Sequence, residues 1–360
     1  MHNILSLDGG GIRGVFTLRV LARMEALLRE HFRRPDMVLA DYFDFIGGTS
    51  TGAIIGAALS WGVSVEKIIE FYHEQSLRAF ADKTYIGRLW ALYGADELTR
   101  ILREFFSEDS AGEVPALLGT ARLKTLFLCV MRNANTGSAW VITNSRTAKY
   151  NQLPPEESNL SIPLYQLIRA SAAAPVFFLP EQIALGSGKW LFVDGAVTPY
   201  NNPSFIMYLA ATLPCYGIGW PDGVDNLRLI SVGTGRLRSR LEKTDATEVT
   251  VLDQIRHTVK ALIDTTGVHQ DLVCRTVGLC LCGEPIDSEA GDLVEIPGAG
   301  NAGKKFLYCR YNHEFSANEV GNLRLPSDPT AIDNLRAIPF YEEAGDAFAS
   351  RHVKLEHLAG

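Results

Sequence analysis

Short apolar runs alternate with longer stretches whose apolar residues recur every three to four positions, and this alternation organises the chain. Asn3 to Leu7 (NILSL) predicts a buried strand. From Val15 to Phe32, Leu18, Leu21, Met24, Leu27 and Leu28 fall along one helix face. The stretch FDFIGG predicts a second strand over Asp44 to Ile46, followed by a small-residue helix, Ala53 to Leu59, and a further helix, Val65 to Phe80. Strand, helix, strand, helix in that order favours a parallel or mixed sheet covered by helices, because each helix carries the chain back to begin the next parallel strand.

The same rhythm continues. Thr125 to Val130, Ala139 to Thr143, Trp190 to Val193, Leu227 to Val232 and Phe306 to Tyr311 predict strands. Pro163 to Ala173, Val249 to Asp264 and Ile332 to Ser350 predict helices. Pro154 to Asn159 and Pro285 to Lys305 read as irregular loops. No repeat, low-complexity tract or linker breaks the pattern, so a single α/β domain over residues 1–360 is expected, with 236–360 as a C-terminal elaboration.

Composition narrows the partners. Lys and Arg number 34 against 41 Asp and Glu, and the net charge of −7 argues against a general DNA or RNA binder, which needs a basic face. The six cysteines show neither C-x-x-C nor zinc-finger spacing and are expected to be reduced and buried for packing. Cys280-Leu-Cys282 would set two thiols on one face of a strand. The N-terminal residues lack a signal-peptide pattern and no apolar run reaches membrane-spanning length, so a cytoplasmic protein is expected.

Two glycine motifs carry candidate chemistry. Gly9-Gly10-Gly11-Ile12-Arg13-Gly14 fits the dinucleotide-binding fingerprint by letters. That fingerprint requires an acid at the end of the second strand, about twenty residues on, to hold the ribose. Here the second strand runs instead into Gly47-Gly48-Thr49-Ser50, and Asp41 and Asp44 lie before or at the start of the strand rather than at its end. No Lys-Ser or Lys-Thr follows the glycines, so a phosphate-binding P-loop fails as well.

Gly48-Thr49-Ser50-Thr51-Gly52 is a G-x-S-x-G between a predicted strand and a predicted helix, the setting of a nucleophile elbow. A sharp turn there strains the serine backbone and leaves no room for side chains two residues to either side. The bland alternative is a flexible turn, but the flanking strand and small-residue helix favour the elbow. With Ser50 as nucleophile, the glycine loop can direct amides at an oxyanion, and Arg13 can add charge or pin the loop.

A serine needs a base. His257 and His269 fall in helical stretches, His313 follows a late strand, and His352 and His357 lie in the last ten residues, where chain ends usually fray. Asp194 ends the strand WLFV and precedes Gly195, which places a carboxylate at a strand's C-terminal end, where sites collect in α/β sheets. An Asp-Gly turn is the competing reading. An ordinary carboxyl of pKa about 3.9 is a poor base, so desolvation is required.

Together DGGGIRG (Asp8 to Gly14), GTSTG (Gly48 to Gly52) and DGA (Asp194 to Ala196) resemble the patatin-like phospholipases, as do ASAAAPVFF before Asp194 and NNPS after it. The resemblance runs to about Gly235. It implies a three-layer α/β fold with a central, mainly parallel sheet flanked by helices. It also implies lipid acyl hydrolysis by a Ser50–Asp194 dyad, without cofactor or metal. Gly9, Gly10 and Gly11, with the Thr51 amide, would form the oxyanion hole, and Asp8, Arg13, Gly14, Gly48, Gly52 and Gly195 complete the motifs.

The compact size, and FLYCRYN near the C-terminus, further resemble bacterial anti-phage effectors of this family. That narrower resemblance implies activation by a cyclic dinucleotide, and contact with phospholipid at the inner face of the membrane. Arg236, Arg238, Arg240 and Lys243 are candidate phosphate contacts, although a solvated basic turn is the simpler reading. Tyr85 to Tyr93 (YIGRLWALY) is a candidate membrane surface, and Phe205 to Leu213 is expected to be buried on the sheet. The rival functions are a constitutive (lyso)phospholipase or esterase, a dinucleotide-dependent oxidoreductase, and a catalytically silent lipid or nucleotide sensor.

Overall fold

A computed structural model describes residues 1–81, 90–175, 178–236, 249–295, 301–316, 319 and 335–359. The strands are β1 (His2–Leu7), β2 (Phe45–Thr49), β3 (Leu126–Asn133), β4 (Ala139–Thr143), β5 (Glu181–Leu185), β6 (Gly188–Asp194), β7 (Leu227–Val232), β8 (Leu279–Cys282) and β9 (Leu307–Tyr311). Among the described residues they form one sheet of order β5-β6-β3-β2-β1-β7-β9-β8, with β4 paired to β3 off this path. The run from β3 to β8 is parallel throughout, and β4, β5 and β6 join it antiparallel.

Adjacent residues of the central strands feed two different cores. Leu5, Ile46 and Cys129 pack on one face with α1 (Gly14–Phe32), α2 (Thr51–Ser60) and α5 (Leu164–Ser171). Ile4, Phe45, Leu128 and Val130 pack on the other with α6 (Ser204–Thr212). Burial on both faces is why these strands read as continuous apolar runs rather than as alternation. The expected burial of Phe205 to Leu213 holds for Ile206, Met207, Tyr208, Ala210 and Ala211, through which α6 lies on the sheet, but not for Leu213, which follows the helix and is exposed. The remaining helices are α3 (Val65–Ala81), α4 (Trp90–Phe105), α7 (Val251–Val277), α8 (Ile338–His352) and α9 (Leu355–Ala359).

Several features depart from the sequence expectation, among them Cys215, which is exposed rather than buried because it sits in the surface turn after α6. The helix expected to stop at Asp264 continues through Thr265-Thr266-Gly267 to Val277, because its later turns pack on α6 and run alongside β8; tertiary packing outweighs the weak helix propensity of those residues. The edge strand β5 (EQIAL) mixes buried with exposed positions and has no apolar run to mark it, whereas β8 (LCLC) is the strand on which Cys280 and Cys282 were expected. Cys280 and Cys282 do not share a face: Cys280 joins the α6-side core and Cys282 packs against the α1-side core. A register irregularity between them rotates the strand. The last described helix, α9, is held rather than frayed. The Tyr42 hydroxyl and Arg228 both donate to the Leu358 carbonyl, and His357 is buried. Among the described residues, no helix is long and apolar enough to cross a membrane.

Candidate active site

The site forms where two strands meet end to end. β4 occupies one edge of β3 over Leu128–Arg132, so β2 (paired at 126–130) and β6 (paired at 131–133) must share the other edge. They approach from opposite directions: Thr49 ends β2 opposite Val130, and Asp194 ends β6 opposite Met131. The residue after Thr49 is Ser50. One strand therefore aligns the serine and the carboxylate, although 144 positions separate them in the chain.

At Ser50 the strand turns sharply into α2, with φ 56° and ψ −124°. This region is costly for any residue with a Cβ, on the order of 1–3 kcal/mol, and the surrounding fold holds it. The elbow needs its glycines for space: a Cβ on Gly48 would lie 2.2 Å from the Gly52 backbone, and one on Gly52 would lie 2.3 Å from the Leu7 carbonyl oxygen. The Ser50 N–H donates to Ser171 Oγ (2.9 Å), whose own hydroxyl donates to the Val130 carbonyl (2.6 Å). The Ser50 hydroxyl donates to Asp194 Oδ2 at 2.7 Å.

Asp194 is buried and accepts from the Ala196 N–H on its other oxygen, also at 2.7 Å. Burial drives its carboxyl up to about 6, against the Ala196 N–H, the Ser50 hydroxyl and the positive charge of Arg169, which all pull it down. The desolvation that a carboxylate base requires is thus present. No histidine is hydrogen-bonded to Ser50 or Asp194 among the described residues. His257 and His269 lie on α7, His313 contacts Glu284 and Glu319, and His357 contacts Tyr311.

The glycine loop lies against the serine, since a Cβ built on Gly9 would stand 3.2 Å from that of Ser50. The Gly9 N–H donates to the Asn201 carbonyl (3.0 Å). Among the described residues no protein acceptor takes the N–H of Gly10, Gly11 or Thr51. Arg13 pins the loop, with Nε on the Gly10 carbonyl (3.3 Å) and Nη1 on the Gly235 carbonyl (3.1 Å). Gly14 begins α1 against Thr51, and Gly195 follows Asp194 beside Val130. Tyr72 ties the two motifs together: its hydroxyl is hydrogen-bonded to that of Thr51 and donates to the Gly11 carbonyl (3.1 Å). Burial pushes that phenol up to about 12.

Asp8 anchors the loop from beneath. Arg310 grips both its oxygens, at 2.9 and 2.5 Å, and also donates to Ser231 Oγ at 2.7 Å. Both partners are buried, and burial raises the Asp8 carboxyl although Arg310 pulls it back. Arg310 is the arginine of FLYCRYN, Ser171 belongs to ASAAAPVFF and Asn201 to NNPS, so those stretches held site residues whose roles no local pattern revealed. Tyr72 had no sequence signal. A charged cavity lies behind the loop rather than over Ser50, lined by Asp8, Arg13, Arg236, Asp271, Arg275 and Arg310. Its arginines are largely paired: Arg236 with Glu314, Arg275 with Asp271, Arg310 with Asp8. Arg238, Arg240 and Lys243 lie outside the described residues, as do the side chains of Tyr85 to Tyr93.

The fold and site define an α/β protein in which a strained elbow serine is hydrogen-bonded to a buried carboxylate beside a glycine loop. A family model described as patatin-like phospholipase matches residues 5–207, and the chain belongs to that family. Patatin-16 of Solanum tuberosum is 28% identical over 267 residues, covering 69% of this chain and 64% of that protein. Patatin-17 of Solanum cardiophyllum is 28% identical over 290 residues, covering 76% and 67%. The chain therefore spans a little under two thirds of the length of the first of these relatives. The solved structure of VipD from Legionella pneumophila overlaps 98% of this chain and 67% of its own, at 14% identity and a TM-score of 0.41, too loose a likeness to carry a functional argument.

Proposed function

We propose that the protein is a serine lipid acyl hydrolase that cleaves fatty-acyl esters of membrane phospholipids, and that residues 1–360 act as one domain. The observation that carries this reading is the 2.7 Å hydrogen bond from the Ser50 hydroxyl to a buried, desolvated Asp194. Asp194 takes the hydroxyl proton as Ser50 Oγ bonds to the ester carbonyl carbon, whose π electrons move onto oxygen. The N–H groups of Gly10, Gly11 and Thr51 serve as the oxyanion donors. Gly9, whose N–H is already given to Asn201, serves by close approach. Collapse breaks the bond to the lysolipid alcohol, which leaves with the proton from Asp194. Water then repeats the sequence: Asp194 takes its proton, hydroxide adds to the acyl-serine, and Ser50 departs reprotonated as the fatty acid is freed.

The family match supports a lipid substrate, and activation by a cyclic dinucleotide in antiviral defence is the finer form of the reading. The test is fatty-acid release from phospholipid vesicles by wild type, Ser50→Ala and Asp194→Ala, with and without a panel of cyclic dinucleotides. Loss in both variants, with retained fold and with fluorophosphonate labelling that needs Ser50, is expected. Undiminished release by either variant sinks the dyad. Release that is independent of every nucleotide makes the enzyme constitutive.

A further inference from the structure

Three side chains with no part in the hydrolytic site converge at the far edge of the sheet. Cys282, Cys309 and His357 each present a ligand atom, all within 4.8 Å of one another. They come from three elements. Cys309 lies in β9, and by strand alternation it shares with Tyr311 the face that packs toward α1. Cys282 ends β8 and is its direct cross-strand partner. The register irregularity after Cys280 is what turns Cys282 toward Cys309 and away from the α6-side core. His357 arrives from α9, which the Tyr42 and Arg228 bonds to Leu358 hold in place. The Tyr311 hydroxyl lies 2.7 Å from His357 Nδ1, in hydrogen-bond contact, and so orients the ring.

We propose that Cys282, Cys309 and His357 form a binding site for a thiophilic tetrahedral cation of the Zn²⁺ type, with water in the fourth position. Two sulfurs and one imidazole nitrogen are the donor set that such an ion selects. Two thiols alone would equally suit a disulfide; the buried imidazole beside them, and the tyrosine that orients it, favour an ion. Cys309 and His357 are buried, whereas Cys282 is half-buried on an edge strand and gives the ion its way in. The sulfurs bind as thiolates, and any proton they carry passes to solvent as the ion takes its place. The ion would clamp the C-terminal helix to the sheet. The ligands stand 27 and 48 residues apart in the chain, which is why no spacing motif betrays them.

The test uses the full chain, reduced and stripped with a chelator, then titrated with Zn²⁺ against a chromophoric competitor and separately with Co²⁺. Wild type is expected to take about one equivalent per chain, with thiolate-to-cobalt charge-transfer and tetrahedral d–d bands. Zn²⁺ is also expected to raise its melting temperature. Cys282→Ser and His357→Gln should bind at least about tenfold more weakly and lose the thermal shift, whereas Cys215→Ser, at an exposed cysteine outside the cluster, should behave as wild type. Cys282→Ser alters a half-buried edge residue, and circular dichroism checks its fold. The proposal is overturned by reduced wild type that binds no stoichiometric ion, by cobalt spectra without a thiolate band, or by binding undiminished in both ligand variants. None of these readouts depends on hydrolysis.

Discussion

Asp194→Asn should make the protein more stable and much less active, and the two effects arise from the same burial. The asparagine fits: its carbonyl oxygen can accept the Ala196 N–H as Oδ1 now does, and its NH₂ then faces Ser50 Oγ. The serine loses its proton acceptor and gains a donor, so hydrolysis should fall by about 10²- to 10⁴-fold, the usual worth of a general base. Stability moves the other way. Burial raises the carboxyl from 3.8 to about 6, so between those values the folded state holds a proton that the unfolded chain has released. Stability therefore declines as pH rises through that window, and two pKa units amount to about 3 kcal/mol lost by pH 8. The asparagine has no such proton to lose. Denaturant melts of both proteins at pH 8 and at pH 4 to 5 test this: the variant should be more stable at pH 8, by up to about 3 kcal/mol, with the gap closing in acid. A variant that still hydrolyses ester within a few-fold of wild type refutes the base assignment. A gap that does not change with pH refutes the electrostatic origin of the strain.

For wild type, the rate constant kcat/KM on a soluble short-chain ester should drop with unit slope below pH 6, to about a tenth of its plateau at pH 5; a flat profile from pH 8 to 5 would show that the base is not a carboxyl raised by burial. Arg310→Met strands the buried Asp8 carboxylate beneath the glycine loop and should cost about 3–5 kcal/mol. Adding Asp8→Asn should recover part of that loss, and strictly additive costs in the double variant would dissolve the pairing. Gly48→Ala drives a Cβ to within 2.2 Å of the Gly52 backbone. It should give protein that is insoluble or destabilised by more than about 4 kcal/mol, and soluble protein with normal melting would mean the elbow is looser than its geometry implies.

What the sequence made legible is what chemistry confines to a few consecutive residues. The elbow needs glycines two positions from its serine because the backbone folds back on itself within five residues, and that constraint is written into GTSTG. The central strands were readable because burial on both faces leaves them apolar throughout. What brings Ser50 to Asp194 is of another kind. It is a matter of register, β2 and β6 ending opposite neighbouring residues of β3, and a slip of one position would turn Asp194 to the other face. No pattern of apolar and polar letters encodes that coincidence. The same holds for the aspartate of DGGGIRG, which by its neighbours is a turn residue and in the fold is a buried anion answered by an arginine 302 positions away. Such a pair adds little net stability relative to apolar packing, since both ions are desolvated. Its value lies in position: an anion that must meet one cation in one geometry fixes the start of the loop, and the amides of Gly10 and Gly11 follow from where Asp8 is held.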